Sequence, residues 1–203
     1  MNNNWLQWLM LNWVEIAGAV LGIAYVFLSV KQNILTWAMG LATSLLYIYV
    51  FFVAKFYADM ALQFYYVWVS IYGWFLWSRG KTSGSKHEKL PVSRMSHQMA
   101  LLLGAVSVFL WSIIYVVLKY YTDSPVPFGD AFTTALSIVA TWMLAKKIIE
   151  HWLVWIVVDV VSIGLYIYKG LLPTTILFVV YTLVAIWGFV EWRKDLRLND
   201  END

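Results

Sequence analysis

Residues His151 to Gly170 read H-W-L-V-W-I-V-V-D-V-V-S-I-G-L-Y-I-Y-K-G, an apolar run long enough to cross a bilayer with one carboxylate, Asp159, near its middle. An ionisable side chain at membrane depth is expensive, which makes it a candidate functional group by default. Trp152, Trp155 and Asp159 follow at i, i+3 and i+7, so a helix carries both indoles and the acid on one face. An acid beside aromatic faces suits a flat organic cation.

The composition around this stretch excludes a soluble domain. Of 203 residues 62% are hydrophobic and only 13% charged, against about 25% charged in soluble domains. Thirteen Trp and thirteen Tyr fit aromatic belts at two membrane interfaces. No cysteine is present, so thiol chemistry and disulfides are excluded. No basic segment precedes the first apolar run and no small-residue cleavage site closes it, so that run is expected to stay in the protein.

Seven spans are expected, at 13–30, 34–53, 59–77, 99–118, 129–145, 149–168 and 171–190, giving an all-α integral membrane protein. Residues 1–12 then form an extracellular N-terminus and 191–203 a cytoplasmic tail. Ser78 to Gln98, rich in Gly, Ser and charge, reads as a solvated cytoplasmic linker before the connecting helix 99–118. Pro125 and Pro127 mark a second break. Lys55, Lys119 and Lys169 are the three basic residues on the N-terminal side, against eleven on the other. The positive-inside rule therefore puts the N-terminus outside and the C-terminus in the cytoplasm.

An offset of 115 residues aligns the two halves: Lys31 with Lys146, Trp37 with Trp152, Tyr66 with Tyr181, Ile71 with Ile186, Gly73 with Gly188, and Trp77 with Trp192. This register predicts a duplication, residues 13–77 and 129–190 being three-helix repeats on either side of one connecting helix. Equivalent spans are four apart, so both triplets cross in the same direction; parallel repeats of this kind place substrate near the midplane at their interface. Asp159 has Ser44 as its counterpart, which makes the site asymmetric within a symmetric frame.

Other polar groups extend the candidate site. Gln63 is an amide well inside the third span and can orient a ligand or join two helices. Tyr66 shares its face. Trp152 and Trp37 are candidates either for stacking on a substrate or for anchoring at the interface. Thr133, Thr134, Ser137 and Thr141 read as a close-packing surface, and Glu15 as a capping acid at the start of the first span. No H-E-x-x-H, G-x-S-x-G or phosphate-cradling glycine loop occurs, so neither an enzyme, a metal site nor a cofactor is expected. The basic linker is a topology signal rather than a nucleic-acid patch.

The segments F-Y-A-D-M-A-L-Q (56–63), I-Y-G-W-F-L-W (71–77), D-A-F-T-T-A-L-S-I-V-A (130–140), W-L-V-W-I-V-V-D-V (152–160) and Y-I-Y-K-G (166–170) resemble the PnuC-type vitamin transporters of bacteria. The resemblance covers nearly the whole chain except linker and tail. It implies a three-plus-one-plus-three fold similar to SWEET sugar transporters, a homotrimer in the inner membrane, and facilitated diffusion with trapping by a cytoplasmic kinase. The implied cargo is nicotinamide riboside, thiamine or a related vitamin. The same resemblance implies that Trp152, Trp155, Asp159 and Gln63 contribute to the substrate site. A seven-helix sensor is the competing class; a retinal-type one needs a lysine in the last span, and 171–190 has none. A structural membrane subunit would leave Asp159 without a purpose.

Overall fold

A computed structural model describes residues 4–54, 57–79, 81–83, 86–88 and 90–200, with side chains over 17–49, 52, 60–79 and 90–198. The side chain of Glu15 and that of Asp59 lie outside these. Seven helices follow one another: α1 (Asn4–Val30), α2 (Leu35–Ala54), α3 (Tyr57–Arg79), α4 (His97–Tyr121), α5 (Pro127–Ala145), α6 (His151–Tyr168) and α7 (Leu172–Asp200). Each contains one of the seven expected apolar runs, except that α2 and α7 start one residue later and α6 two residues later. Among the described residues four stretches, His97–Tyr121, Pro127–Ala145, His151–Tyr168 and Leu172–Leu198, are long and apolar enough to cross a membrane, and Ala17–Val30 and Leu35–Tyr49 are shorter apolar helices.

Local chemistry sets the helix ends. Ser96 caps α4, its hydroxyl accepting from the Met99 amide, and Pro127 occupies the first turn of α5, where its missing N–H goes unused. The end of α1 and the end of α5 close in the same way. At Gln32 and Lys147 the backbone turns left-handed, with φ of 50° and 53°. The amide of each residue donates three positions back, to Ser29 and Leu144, and the next amide five back, Asn33 to Leu28 and Ile148 to Met143. This is the Schellman arrangement built without glycine. The following turns match too: Thr36 donates to Asn33 as His151 does to Ile148, and Trp37 to Ile34 as Trp152 does to Ile149. Every one of these pairs is separated by 115 residues.

The chain divides into two compact units, one ending at Ile71 and the other beginning at Tyr72. In the first, α1 packs on α2. Gly40 sits where a β-carbon would lie 2.9 Å from Ser70 Oγ and 3.1 Å from the Tyr25 ring, so close packing explains this glycine. In the second, α5 packs on α4 and α6, and α6 on α7. Trp111 of α4 donates to the Phe128 carbonyl at 3.2 Å and meets the rings of Phe128 and Phe132 edge-on. Lys169, just past α6, bridges Asp130 in the first turn of α5 at 2.9 and 3.1 Å, and Ser124 donates to the same carboxylate.

The α5–α6 end of this unit is an aromatic core. Trp152 meets Trp192 at right angles, centroids 5.6 Å apart, with His151 4.8 Å from the same Trp192 ring. Trp77 stands 6.4 Å from Trp192, donates to the Ala145 carbonyl at 3.1 Å, and carries the Lys147 ammonium 4.7 Å over its ring.

Two expectations need correction here. The tail drawn from residue 191 is the last part of α7, and it buries Trp192 and Leu196 because the helix must continue to complete this core. Nor is 78–98 simply a solvated linker. Lys81–Ser83 and Lys86–Glu88 pair as an antiparallel hairpin, and Val92 is buried against the α5–α6 turn side of the unit, where Ser93 forms a parallel bridge to Ile148.

Gly188 and Gly164 make opposite predictions. A β-carbon on Gly188 would lie 2.6 Å from the Trp152 ring, whereas one on Gly164 would meet nothing within 4 Å. Gly188→Ala should therefore lower the thermal midpoint of the purified protein, overpacking costing about 1–3 kcal/mol. Gly164→Ala should leave it unchanged or raise it, since alanine favours helix over glycine by about 1 kcal/mol. Equal effects of the two substitutions would refute this packing argument.

Candidate functional site

Helix α6 has two unlike faces. His151, Trp152, Val158, Asp159 and Ser162 are buried, while Leu153, Val157, Val160 and Ile167 are exposed. Apart from Tyr168 at the end of the helix, the exposed set is wholly apolar, as a lipid-facing stripe requires, and the buried set holds the histidine, the acid and the serine. Trp152 and Asp159 fall in the buried set, and Trp155 is half-buried between the two faces.

Asp159 is 3% exposed. Among the described residues no hydrogen bond or ion pair reaches its carboxylate, and no other charged side chain is buried on α6. A buried acid normally acquires a partner, because an unpaired charge in a low-dielectric interior is strongly destabilised. An acid held this way is suited to receiving a cation from outside the chain. Ser162, one turn further on, is also buried and adds a hydroxyl to the same face.

Trp152 and Trp155 part company. The Trp152 ring is 2% exposed, wedged between His151, Trp192 and the backbone of Gly188. That placement favours anchoring over stacking on a substrate. Its indole N–H and the Nε2 of His151 have no hydrogen-bond partner among the described residues. Trp155 lies nearly one turn further along α6, on the Asp159 side of the packed cluster. Of the two indoles it is the one with surface left for a ligand.

The remaining candidates belong to the first unit. Gln63 and Tyr66 lie on α3 at i and i+3, both half-buried. Tyr66 meets Tyr65 edge-on at 5.5 Å, and the phenol of Tyr25 is a neighbour of both. Trp37 is buried at the start of α2, beside Thr36 and Val30, in the turn that matches that of Trp152. Tyr25 was not foreseen. Its signal lay in Gly40, whose missing side chain makes room for the Tyr25 ring.

Three of the four hydroxyls of α5 are occupied by their own helix. Thr133 donates to Gly129 and Asp130, Ser137 to Thr133, and Thr141 to Ser137, at 2.7 to 3.1 Å. Each is left able to accept but not to donate. Among the described residues no group of three metal-ligating side chains occurs.

Comparison with known proteins agrees with this architecture. A crystal structure of the vitamin B3 transporter PnuC superposes with a TM-score of 0.72 at 29% sequence identity, covering 92% of this chain and 83% of that one. The nicotinamide riboside transporter PnuC of Escherichia coli is 25% identical over 92% of this chain and 87% of its own length, and that of Neisseria mucosa 28% identical over 90% and 73%. The riboflavin/roseoflavin transporter RibM of Streptomyces davaonensis is 25% identical over 91% and 88%. The family model described as nicotinamide mononucleotide transporter matches residues 12–194. With that match running from within α1 into α7, the chain belongs to the nicotinamide mononucleotide transporter family of membrane proteins.

Proposed function

We propose that this protein takes up a small cationic, ring-containing vitamin, nicotinamide riboside, by facilitated diffusion across the bacterial inner membrane. The observation that carries the reading is Asp159, a buried carboxylate with no partner among the described residues. The names of the relatives in Escherichia coli and Neisseria mucosa point to the same cargo. In this reading Asp159 is the countercharge of the pyridinium ring and Trp155 stacks on that ring; Gln63 and Tyr66 are the polar candidates of the first unit. Trp152 and Trp37 hold the first turns of their helices. No ion or ATP drives the step; a cytoplasmic kinase traps the product, and the working unit is a homotrimer.

The reading includes a topology. Seven spans run in a three-plus-one-plus-three order similar to SWEET transporters, with the N-terminus outside. The two Schellman turns 115 residues apart support a duplication. Asp159 stands eight residues into α6, about 12 Å from its first residue at 1.5 Å per residue, which is mid-membrane depth.

RibM supports one second reading, that the cargo is a flavin. Thiamine, like the riboside, is a cation. The flavin ring is neutral and leaves Asp159 without a countercharge, so the acid separates these cargoes.

Calorimetric titration of the purified protein with nicotinamide riboside, thiamine and riboflavin tests the assignment. Binding of the riboside alone is expected, and tight riboflavin binding without it would sink the cationic-cargo reading. Asp159→Asn is expected to weaken riboside binding by about 2 kcal/mol or more, roughly thirtyfold in Kd, while the protein still folds. An unchanged Kd would remove Asp159 from the site.

Orientation can be read from single cysteines, the chain having none of its own. Asp123→Cys should react with an impermeant thiol reagent in intact cells, and Arg94→Cys only after lysis. The reverse pattern would invert the topology.

A further inference from the structure

The α5–α6 turn is gripped by a segment distant in sequence. After the hairpin the chain comes back against this turn. The Ser93 amide donates to the Lys147 carbonyl at 2.9 Å, and the Ile149 amide donates to the Ser93 carbonyl at 2.9 Å. Two residues on, the Met95 amide donates to Glu150 Oε2 at 2.9 Å. Val92, Ile148 and Ile149 are all buried, and Met95 and Met99 pack on the cluster of Val139, Met143 and Ile148. Glu150 stands at the head of α6 and makes no side-chain cap to its own helix. Its carboxylate is committed to the neighbouring segment, beside a helix N-terminus whose dipole favours the negative charge.

The α1–α2 turn follows the same backbone path with a different residue at the position of Glu150. Glu150 has Leu35 as its counterpart, an exposed apolar residue. The Leu35 amide is taken by Asn33 Oδ1, a local cap in place of a distant one. Ser93 with Ile148 is the one isolated bridge among the described residues. Two turns of matching backbone thus differ in their capping side chain, and the one gripped by residues 92–95 begins the helix that carries Trp155 and Asp159.

We propose that residues 92–95 form a clasp that stays closed throughout the transport cycle, with Glu150 as its positioning residue. The first turn of α6 then moves as one piece with the start of α4, and the motion that exposes cargo at that end of the molecule falls to other elements. The clasp keeps Trp155 and Asp159 in register with each other and with α5. The transport role rests on the reading above; the closed clasp does not.

Amide hydrogen exchange reads the clasp without any cargo. The Ser93, Met95 and Ile149 amides are expected to exchange at least about 100-fold more slowly than unstructured amides. Glu150→Ala should speed Met95 about tenfold or more, and Glu150→Gln, which keeps an acceptor oxygen, should restore most of that protection. Fast exchange at all three amides in the unmodified protein overturns the clasp whatever the protein carries. The transport role is read with Ser93→Cys and Ile148→Cys together, in a chain with no other thiol. Proteoliposomes with the oxidised pair should take up nicotinamide riboside within about twofold of the reduced pair. A block on oxidation that reduction relieves would mean that the clasp must open, and the proposal fails. Protected amides in a protein that carries no riboside even when reduced would leave the closed clasp standing and refute its role in riboside transport, the fault then lying with the transport reading.

Discussion

The seat of Trp152 on Gly188 is the contact on which the second half of this structure depends. A full indole is pressed against the backbone of α7, closed on one side by Trp192 and flanked by His151. Nothing larger than glycine fits beneath it. This fixes the separation of α6 and α7 at the α5–α6 end, and with it the rotation of α6 about its own axis. Rotation decides which residues of α6 face lipid and which face protein, because the two sets alternate at helical spacing. Asp159 is nearly two turns from Trp152 and inherits its azimuth. A shift of one residue in that azimuth would turn the carboxylate toward the exposed stripe of Leu153, Val157 and Val160.

Much of this fold was legible because a bilayer demands apolar runs of set length, and the helices match those runs closely. The 115-residue register was legible as well, through large residues such as Trp37 and Trp152. Other features left little trace. The left-handed residues closing α1 and α5 are Gln32 and Lys147, and neither type marks such a turn as glycine or asparagine would. The clasp runs through Val92 to Met95, a short stretch with no periodicity, and two of its three bonds join backbone atoms that any sequence supplies. The extension of α7 was missed because charge begins at Glu191, which reads as the end of a span although Trp192 and Leu196 still point inward.

The site was legible in part, for a physical reason. A buried acid in an apolar helix announces itself by its rarity, and so does an amide such as Gln63. Aromatic residues do not, since their rings suit packing and ring recognition alike. Trp152 and Trp155 are three residues apart in one motif, yet the first is sealed within the aromatic core and the second is only half-buried. Only the identity of the neighbours separates the two roles, and Gly188 is 36 residues away from Trp152 in the chain.

The α1–α2 and α5–α6 turns share one backbone path, but the buried polar residues of the helices that follow them differ. At matching positions the first half carries Ser44 and Gly40 where the second carries Asp159 and Trp155, and both Ser44 and Asp159 are 3% exposed. Two equivalent buried positions thus hold a hydroxyl and a carboxylate. A charge at the centre of a membrane helix costs about 3 kcal/mol, and a second acid would add to that cost. With serine at residue 44 the chain bears that cost once across this pair of positions, at Asp159 alone.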